Sequence, residues 1–244
     1  MKSEVRSQKS EADGFSRFVR DGFQIIHSLV TDEECNRLTA ELTPLFERQI
    51  TSSKSRIGGV RNLLRTNPAV IAFAKSPAII ELLNQAARGE VFPVRAIFFD
   101  KNPDANWLVP WHQDLAIAVA ARIETPGFTG WSKKDGTLHV HPPEGILAGM
   151  ITLRLHLDDC DASNGALKVI TGSHRCGKIS TNEVARVSSS GVQIICKVPK
   201  GGALLMRPLL LHASSPAESP RHRRVLHIEY ATQKLPNGLE WFDN

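Results

Sequence analysis

Residues 147–157 alternate with a period of two. Ile151, Leu153, Leu155 and Leu157 are apolar, while Thr152, Arg154 and His156 are polar. Residues i and i+2 of a strand share a face. This stretch therefore demands a strand with one apolar side and one side carrying an arginine and a histidine. A face of that kind cannot look into a dry core, because a charge buried without a partner is costly. It can line a wet pocket, provided that something else covers the apolar side.

The first third of the chain supplies that cover. Thr31-Asp32-Glu33-Glu34 has the form of a capping box, and Cys35, Leu38, Leu42 and Leu45 follow at near-helical spacing. Asn67-Pro68 and Ser76-Pro77 each place a capping residue before a proline suited to the first helical position. The helix after Ser76 carries Ile79, Ile80, Leu82, Leu83 and Ala86 and is expected to stop at Gly89. From Val91 the signals change to strands: 91–99, a strand through His112, 147–157, 166–170, 192–198, 203–206 and 223–231, with 23–26 as an early one. Helices first and then many strands separated by Gly- and Pro-rich turns predict a mainly β fold, a sandwich or jelly roll backed by helices. Residues 51–62 read as a loop with Gly58-Gly59 as its flexible point. Residues 124–143 read as a long loop, of the kind that often serves as a lid.

Length and charge narrow the classes. A chain of 244 residues fits one large domain. The expected division is a mobile polar tail over 1–13 and a single domain over 14–244, with a helical part 14–90 and a β-barrel core 91–232. The formal charge of +5 is spread along the chain, which argues against a nucleic-acid partner and leaves basic residues for an acidic small molecule. The four cysteines form no C-x-x-C pair and read as reduced thiols of a cytoplasmic protein. No signal-peptide pattern and no run near the ~20 apolar residues of a membrane span is present.

Trp111-His112-Gln113-Asp114 carries the chemistry. On a strand, His112 and Asp114 point the same way and can face one ion. One imidazole and one carboxylate are two thirds of a 2-His-1-carboxylate facial triad, which suits Fe(II) and leaves positions open. The second imidazole is His212, delivered by Leu209-Leu210-Leu211. Ser214 follows it by two positions and Arg223 by eleven. A metal-bound 2-oxo acid needs its far carboxylate held, and an arginine fork with a nearby hydroxyl does this. Arg223 shares a strand face with Val225, His227 and Glu229, whereas Arg224 shares one with Leu226, Ile228 and Tyr230. Arg223 is therefore preferred, with Arg221 and Arg224 left open. Further pocket candidates are Arg95, Arg154, His156, Trp131 and Arg61. The loop residues His139 and Lys133-Lys134 read more simply as solvated, and His227 as an inward-pointing histidine ranked below His212.

Taken together, these motifs resemble the phytanoyl-CoA dioxygenase family, a branch of the Fe(II)- and 2-oxoglutarate-dependent oxygenases. The resemblance runs from about Phe15 to Tyr230. It is carried by Asp21-Gly22-Phe23, Trp111-His112-Gln113-Asp114, the segment from Leu157-Asp158-Asp159 through Asn164-Gly165-Ala166-Leu167 to Gly172-Ser173-His174, and His212-Ala213-Ser214 with Arg223. The family's proline before Gly-Ser-His is Thr171 here. The resemblance implies a double-stranded β-helix, a cupin-like jelly roll. It implies Fe(II) held by His112, Asp114 and His212, and 2-oxoglutarate held by Arg223 and Ser214, with O₂ consumed and succinate and CO₂ released. Asp114 stands where the halogenating branch has a small residue, so hydroxylation of an unactivated C–H of a small organic molecule is the implied reaction. Two competing readings keep the barrel without that reaction: a silent metal or small-molecule binding module, and a cupin-like metalloprotein that does not use 2-oxoglutarate.

Overall fold

Strand formation follows the period-two stretches closely, and helix formation follows the caps. The computed structural model describes residues 15–52, 59–134 and 136–243. The tail expected over 1–13 and Gly58 lie outside these. Helix α1 (residues 15–21) and strand β1 (Phe23–Ile26) come first. Helices α2 (Asp32–Ser52), α3 (Leu63–Thr66), α4 (Pro68–Ala74) and α5 (Pro77–Ala87) follow. Strands β2 (Phe92–Lys101), β3 (Val109–His112), β4 (Ile117–Val119), β5 (Thr129–Lys134) and β6 (Thr137–His141) lead to helix α6 (Glu144–Gly149). Then come β7 (Ile151–His156), β8 (Leu167–Ile170), helix α7 (Thr181–Ser190), β9 (Gln193–Ile195), β10 (Ala203–Met206), β11 (His212–Ser214) and β12 (Arg223–Ala231).

The strands form a five-stranded sheet in the order β1-β10-β7-β12-β2, a four-stranded sheet β3-β11-β8-β9 and a three-stranded sheet β4-β6-β5. All pairings within them are antiparallel. This is a jelly roll with helices against its larger sheet. Leu153, Leu155, Leu226, Ile228 and Tyr230 on the outer face of that sheet join Leu38, Leu42, Phe73 and Leu83 of the helices in one buried cluster. Each such side chain contributes roughly 1.5–3 kcal/mol by leaving water. Thr152, Arg154 and His156 then necessarily face inward, and all three are buried. The two-sided pattern of 147–157 is thus explained.

Several boundaries differ from expectation. The long strand begins at Ile151, because residues 144–149 turn into α6 and bury Leu147 in a second apolar cluster. The loop expected over 124–143 contains β5 and β6. Their few apolar residues hide the strand pattern, but β6 pairs with both β4 and β5. Helix α2 runs into the loop expected from residue 51. Helix α7 has no buried residue, so no apolar stripe announces it. The strand expected over 192–198 shrinks to β9. Asn67 caps as expected, its side chain accepting from Val70 N at 3.0 Å. Thr31 Oγ1 accepts from Glu34 N at 3.3 Å, but the Glu34 carboxylate turns to Arg37 instead of completing the box. Among the described residues, no helix is long and apolar enough to cross a membrane.

Candidate active site

His112 ends β3 and His212 begins β11, and the two are direct partners in the four-stranded sheet. Chain positions a hundred apart are thereby brought to a ring-centroid distance of 4.2 Å. Asp114 lies just past the end of β3. Its carboxylate oxygens stand 3.8 Å from Nε2 of His112 and 3.8 Å from Nε2 of His212. One donor atom from each residue lies within 4.8 Å of the others. Donors about 2.1 Å from one ion stand at most about 4 Å apart, so only a slight closure of these side chains is needed to share one.

Both imidazoles are held in the form a metal requires. His112 Nδ1 lies 2.9 Å from Pro110 O and His212 Nδ1 lies 2.8 Å from Leu210 O. A carbonyl only accepts, so each Nδ1 carries a proton and Nε2 is the nitrogen left to face the site. Backbone partners of this kind also fix ring orientation. Burial first, opposed by Asp114, brings His212 down to about 4. Burial would raise the Asp114 carboxyl, but His212, His227, His112 and Arg154 together bring it down to about 2. At neutral pH these two groups are therefore already a free base and a carboxylate.

The supports come from the motifs flanking the triad. Gln113 points away from Asp114 and is stapled to the backbone. Its Nε2 donates to Gly177 O at 2.8 Å and to Leu209 O at 2.6 Å, and its Oε1 accepts from Ile179 N at 2.8 Å. Asp114 N donates to Pro208 O at 2.9 Å. Ser173 of Gly-Ser-His accepts from Leu211 N at 2.9 Å, which fixes the residue before His212. His174 packs against Gly22, where an added Cβ would lie 2.3 Å from the ring. The Asp21-Gly22 turn and the Gly-Ser-His turn therefore require each other.

A second group stands at the other end of the same space. Arg223 is 4 % exposed and Ser214 is 2 % exposed. Arg223 Nη1 donates to Gly165 O, Ser214 Oγ donates to the same oxygen at 2.8 Å, and Lys101 Nζ donates to Ser214 Oγ at 3.0 Å. Gly165 has a φ of +77°, and an added Cβ would meet Ser215 O at 2.7 Å. That is the physical reason for glycine in the Asn164-Gly165 turn. Among the described residues neither Arg223 nor Lys101 forms an ion pair. Two buried cations side by side, with a hydroxyl between them, make a site for an anion. Arg221 instead pairs with Asp161 at the surface, at 2.6 Å, and Arg224 faces the helices and pairs with Asp158 at 2.6 Å.

The triad, Ser214 and Arg223 line one cavity of about 510 Å³ between the sheets, a size that suits small molecules, and Lys101 is bonded to Ser214 at its edge. Arg154, Arg95 and Arg61 line the cavity, together with Lys134, His139 and His227. Two candidates do not reach it. His156 faces inward, but the space beside it is closed off and both its ring nitrogens are buried without partners. Trp131 lies on β5 with its ring packed on the second apolar cluster and covered by Arg122, 5.4 Å from the ring centroid.

A family model described as phytanoyl-CoA dioxygenase matches residues 18–225. The chain belongs to the phytanoyl-CoA dioxygenase family. It is 22% identical over 250 residues to the L-proline trans-4-hydroxylase of Streptomyces griseoviridis, a match that covers 89% of this chain and 85% of that protein. It is similar in fold to AviO1 from Streptomyces viridochromogenes Tue57, with a TM-score of 0.68 at 24% identity over 93% of this chain and 97% of that one. The epimerase SnoN, solved in complex with Fe3+, alpha ketoglutarate and nogalamycin RO, gives a TM-score of 0.70 at 14% identity, over 92% and 84% of the two chains.

In this member of the phytanoyl-CoA dioxygenase family, sequence reasoning overlooked Lys101. The signal was available. Arg95, Ile97, Phe99 and Lys101 are spaced by two and share the inner face of β2, and Lys101 is the sheet partner of Arg223. The turn-like composition just after it hid the strand's last residue.

Proposed function

We propose that the protein is a non-haem Fe(II)- and 2-oxoglutarate-dependent dioxygenase that hydroxylates an unactivated C–H of a small organic substrate. One observation carries this reading: two imidazole Nε2 atoms and a carboxylate converge in a cavity that is also lined by the buried Arg223 fork, which has no carboxylate partner among the described residues and is flanked by Lys101 across Ser214. His112, Asp114 and His212 are the metal ligands. Three donors on one side leave the other side of the ion open. Asp114 and His212 need give up no proton to a metal at neutral pH, which favours its entry. Arg223 and Ser214 hold the far carboxylate of 2-oxoglutarate, with Lys101 as a third donor. Bound there, iron with 2-oxoglutarate and O₂ supplies the oxidising power, and the protein supplies orientation. Arg61 and Lys134 in the cavity lining suit an acidic small molecule. The free cysteines fit a cytoplasmic enzyme.

The test is succinate formation from 2-oxoglutarate by the purified protein with added Fe(II) and O₂, which many such enzymes carry out slowly without substrate. Turnover that disappears on omitting iron supports the reading. Fe(II) binding without any 2-oxoglutarate binding would favour a metal-binding module instead.

Lys101 adds a pH dependence. Burial first and Arg223 second lower its ammonium from 10.5 to about 7. A carboxylate beside it favours the charged form, so the complex holds a proton that the free protein loses above pH 7. Affinity for 2-oxoglutarate is expected to fall as pH rises past 7, by up to about tenfold per pH unit. Lys101→Met should bind more weakly and with little slope. Calorimetric titrations between pH 6 and pH 9 check this, and a flat wild-type profile would remove Lys101 from the site.

A further inference from the structure

Arg154 is a buried charge that the reading above leaves unused. It lies on β7 opposite His227 of β12 and is 8 % exposed. A guanidinium taken that far out of water needs hydrogen-bond acceptors or an anion. Its Nη1 donates to His227 Nδ1 at 2.8 Å, and Phe99 lies 6.0 Å from it, ring centroid to guanidinium carbon. Its Nε is buried with no partner, and among the described residues it forms no ion pair.

The neighbours cannot neutralise it. His227 accepts from Arg154 through Nδ1, and its Nε2 faces Glu229 Oε1 at 3.3 Å. That ring is therefore neutral, with its one proton on Nε2. Glu229 is committed to Arg95 at 3.0 Å. The sheet thus presents to the cavity a fork that no carboxylate among the described residues pairs with directly.

Its position is specific. Arg154 lines the same cavity as Asp114, His212 and Arg223. It helps to lower the Asp114 carboxyl, and it is itself lowered to about 10, by burial first and Arg223 second. It is close enough to the triad and to the Arg223 anchor to interact with both. A 2-oxo diacid held at both points would lie in the cavity that Arg154 lines. The geometry points to Arg154 as a co-substrate-binding residue that hydrogen-bonds the metal-bound carboxylate end of the 2-oxo acid, while Arg223 holds the far end. This rests on the iron and 2-oxoglutarate reading above. An acidic group on the substrate is the competing anion for Arg154. It has a cation of its own on the β5–β6 side, where Lys134 lies.

Oxalate separates the two ends, because it can chelate a metal but has no far arm. Fe(II) affinity is measured first, under anaerobic conditions. Oxalate and 2-oxoglutarate are then titrated calorimetrically into the iron-loaded wild type, Arg154→Gln, Arg154→Lys and Arg223→Met. Loss of one charge-assisted hydrogen bond predicts about 10- to 100-fold weaker binding. Arg154→Gln should lose that much for both ligands, and Arg154→Lys should show a smaller loss of the same sign. Arg223→Met should lose affinity for 2-oxoglutarate and keep it for oxalate. Wild-type oxalate affinity in both iron-loaded Arg154 variants overturns the proposal alone. A wild type that takes up neither Fe(II) nor oxalate overturns it together with the reading beneath it.

Discussion

Asp114→Ala is expected to abolish both the stabilisation of the protein by metal and its turnover of 2-oxoglutarate. The carboxylate is the only anion facing His112 and His212 among the described residues, and its oxygens are 3.8 Å from both Nε2 atoms. Without it, two neutral imidazoles would have to hold a divalent ion alone. Charge stabilisation by such an ion is worth several kcal/mol, so turnover should fall by about a thousandfold or more. The fold itself should survive. The Asp114 backbone keeps its bond to Pro208 O, and the Gln113 staple is untouched. Thermal unfolding makes the distinction. Metal at a hundred times its Kd stabilises the wild type by about 2.7 kcal/mol, or roughly 5–10 °C in Tm for a chain of this size. The variant should unfold near the metal-free wild type and show no such rise. A metal-dependent rise that persists in the variant would mean that the ion sits elsewhere.

The sequence made this triad legible for a simple reason. Two of its members are spaced by the strand period, and the third is followed by Ser214 and Arg223 at intervals that a single sheet edge and turn can bridge. The outer and inner faces of β7 and β12 were legible for the same reason, since apolar and polar residues alternate strictly through β7 and from Leu226 to Tyr230 of β12. Other features depend on partners remote in sequence. Lys101 reaches Ser214 beside Arg223 only because β2 extends far enough to pair the two basic residues. His156 has the right face but no open space above it. Trp131 was misjudged because the β5–β6 hairpin is held by pairing to β4 and by packing on the second cluster, neither of which a polar, Gly- and Lys-rich stretch discloses.

The anchor end yields an effect of similar size. Arg223→Met is expected to raise the 2-oxoglutarate requirement steeply while leaving metal affinity intact. Arg223 is 4 % exposed, and Gly165 O, which accepts from its Nη1, is also occupied by Ser214. Its Nε is buried without a partner. A carboxylate arriving there gains a preorganised fork with little left to order. Truncating one side of a buried charge pair costs about 2–5 kcal/mol, which is about 30- to 4,000-fold in Kd. Part of that cost falls on Lys101, whose ammonium is already destabilised by burial and by Arg223. With the arginine gone, Lys101 recovers above pH 7 a charge that it lacks in the wild type and offsets part of the loss there, so the larger end of the range is expected near pH 6 and the smaller near pH 8. The neighbouring arginines serve as controls. Arg221 is engaged with Asp161 at the surface, and Arg224 with Asp158 beneath the helices. Neither Arg221→Met nor Arg224→Met should move 2-oxoglutarate affinity by more than about twofold, a change within 0.5 kcal/mol. If either control matches the Arg223 variant, the cation pair beside Ser214 is not where the keto diacid is held.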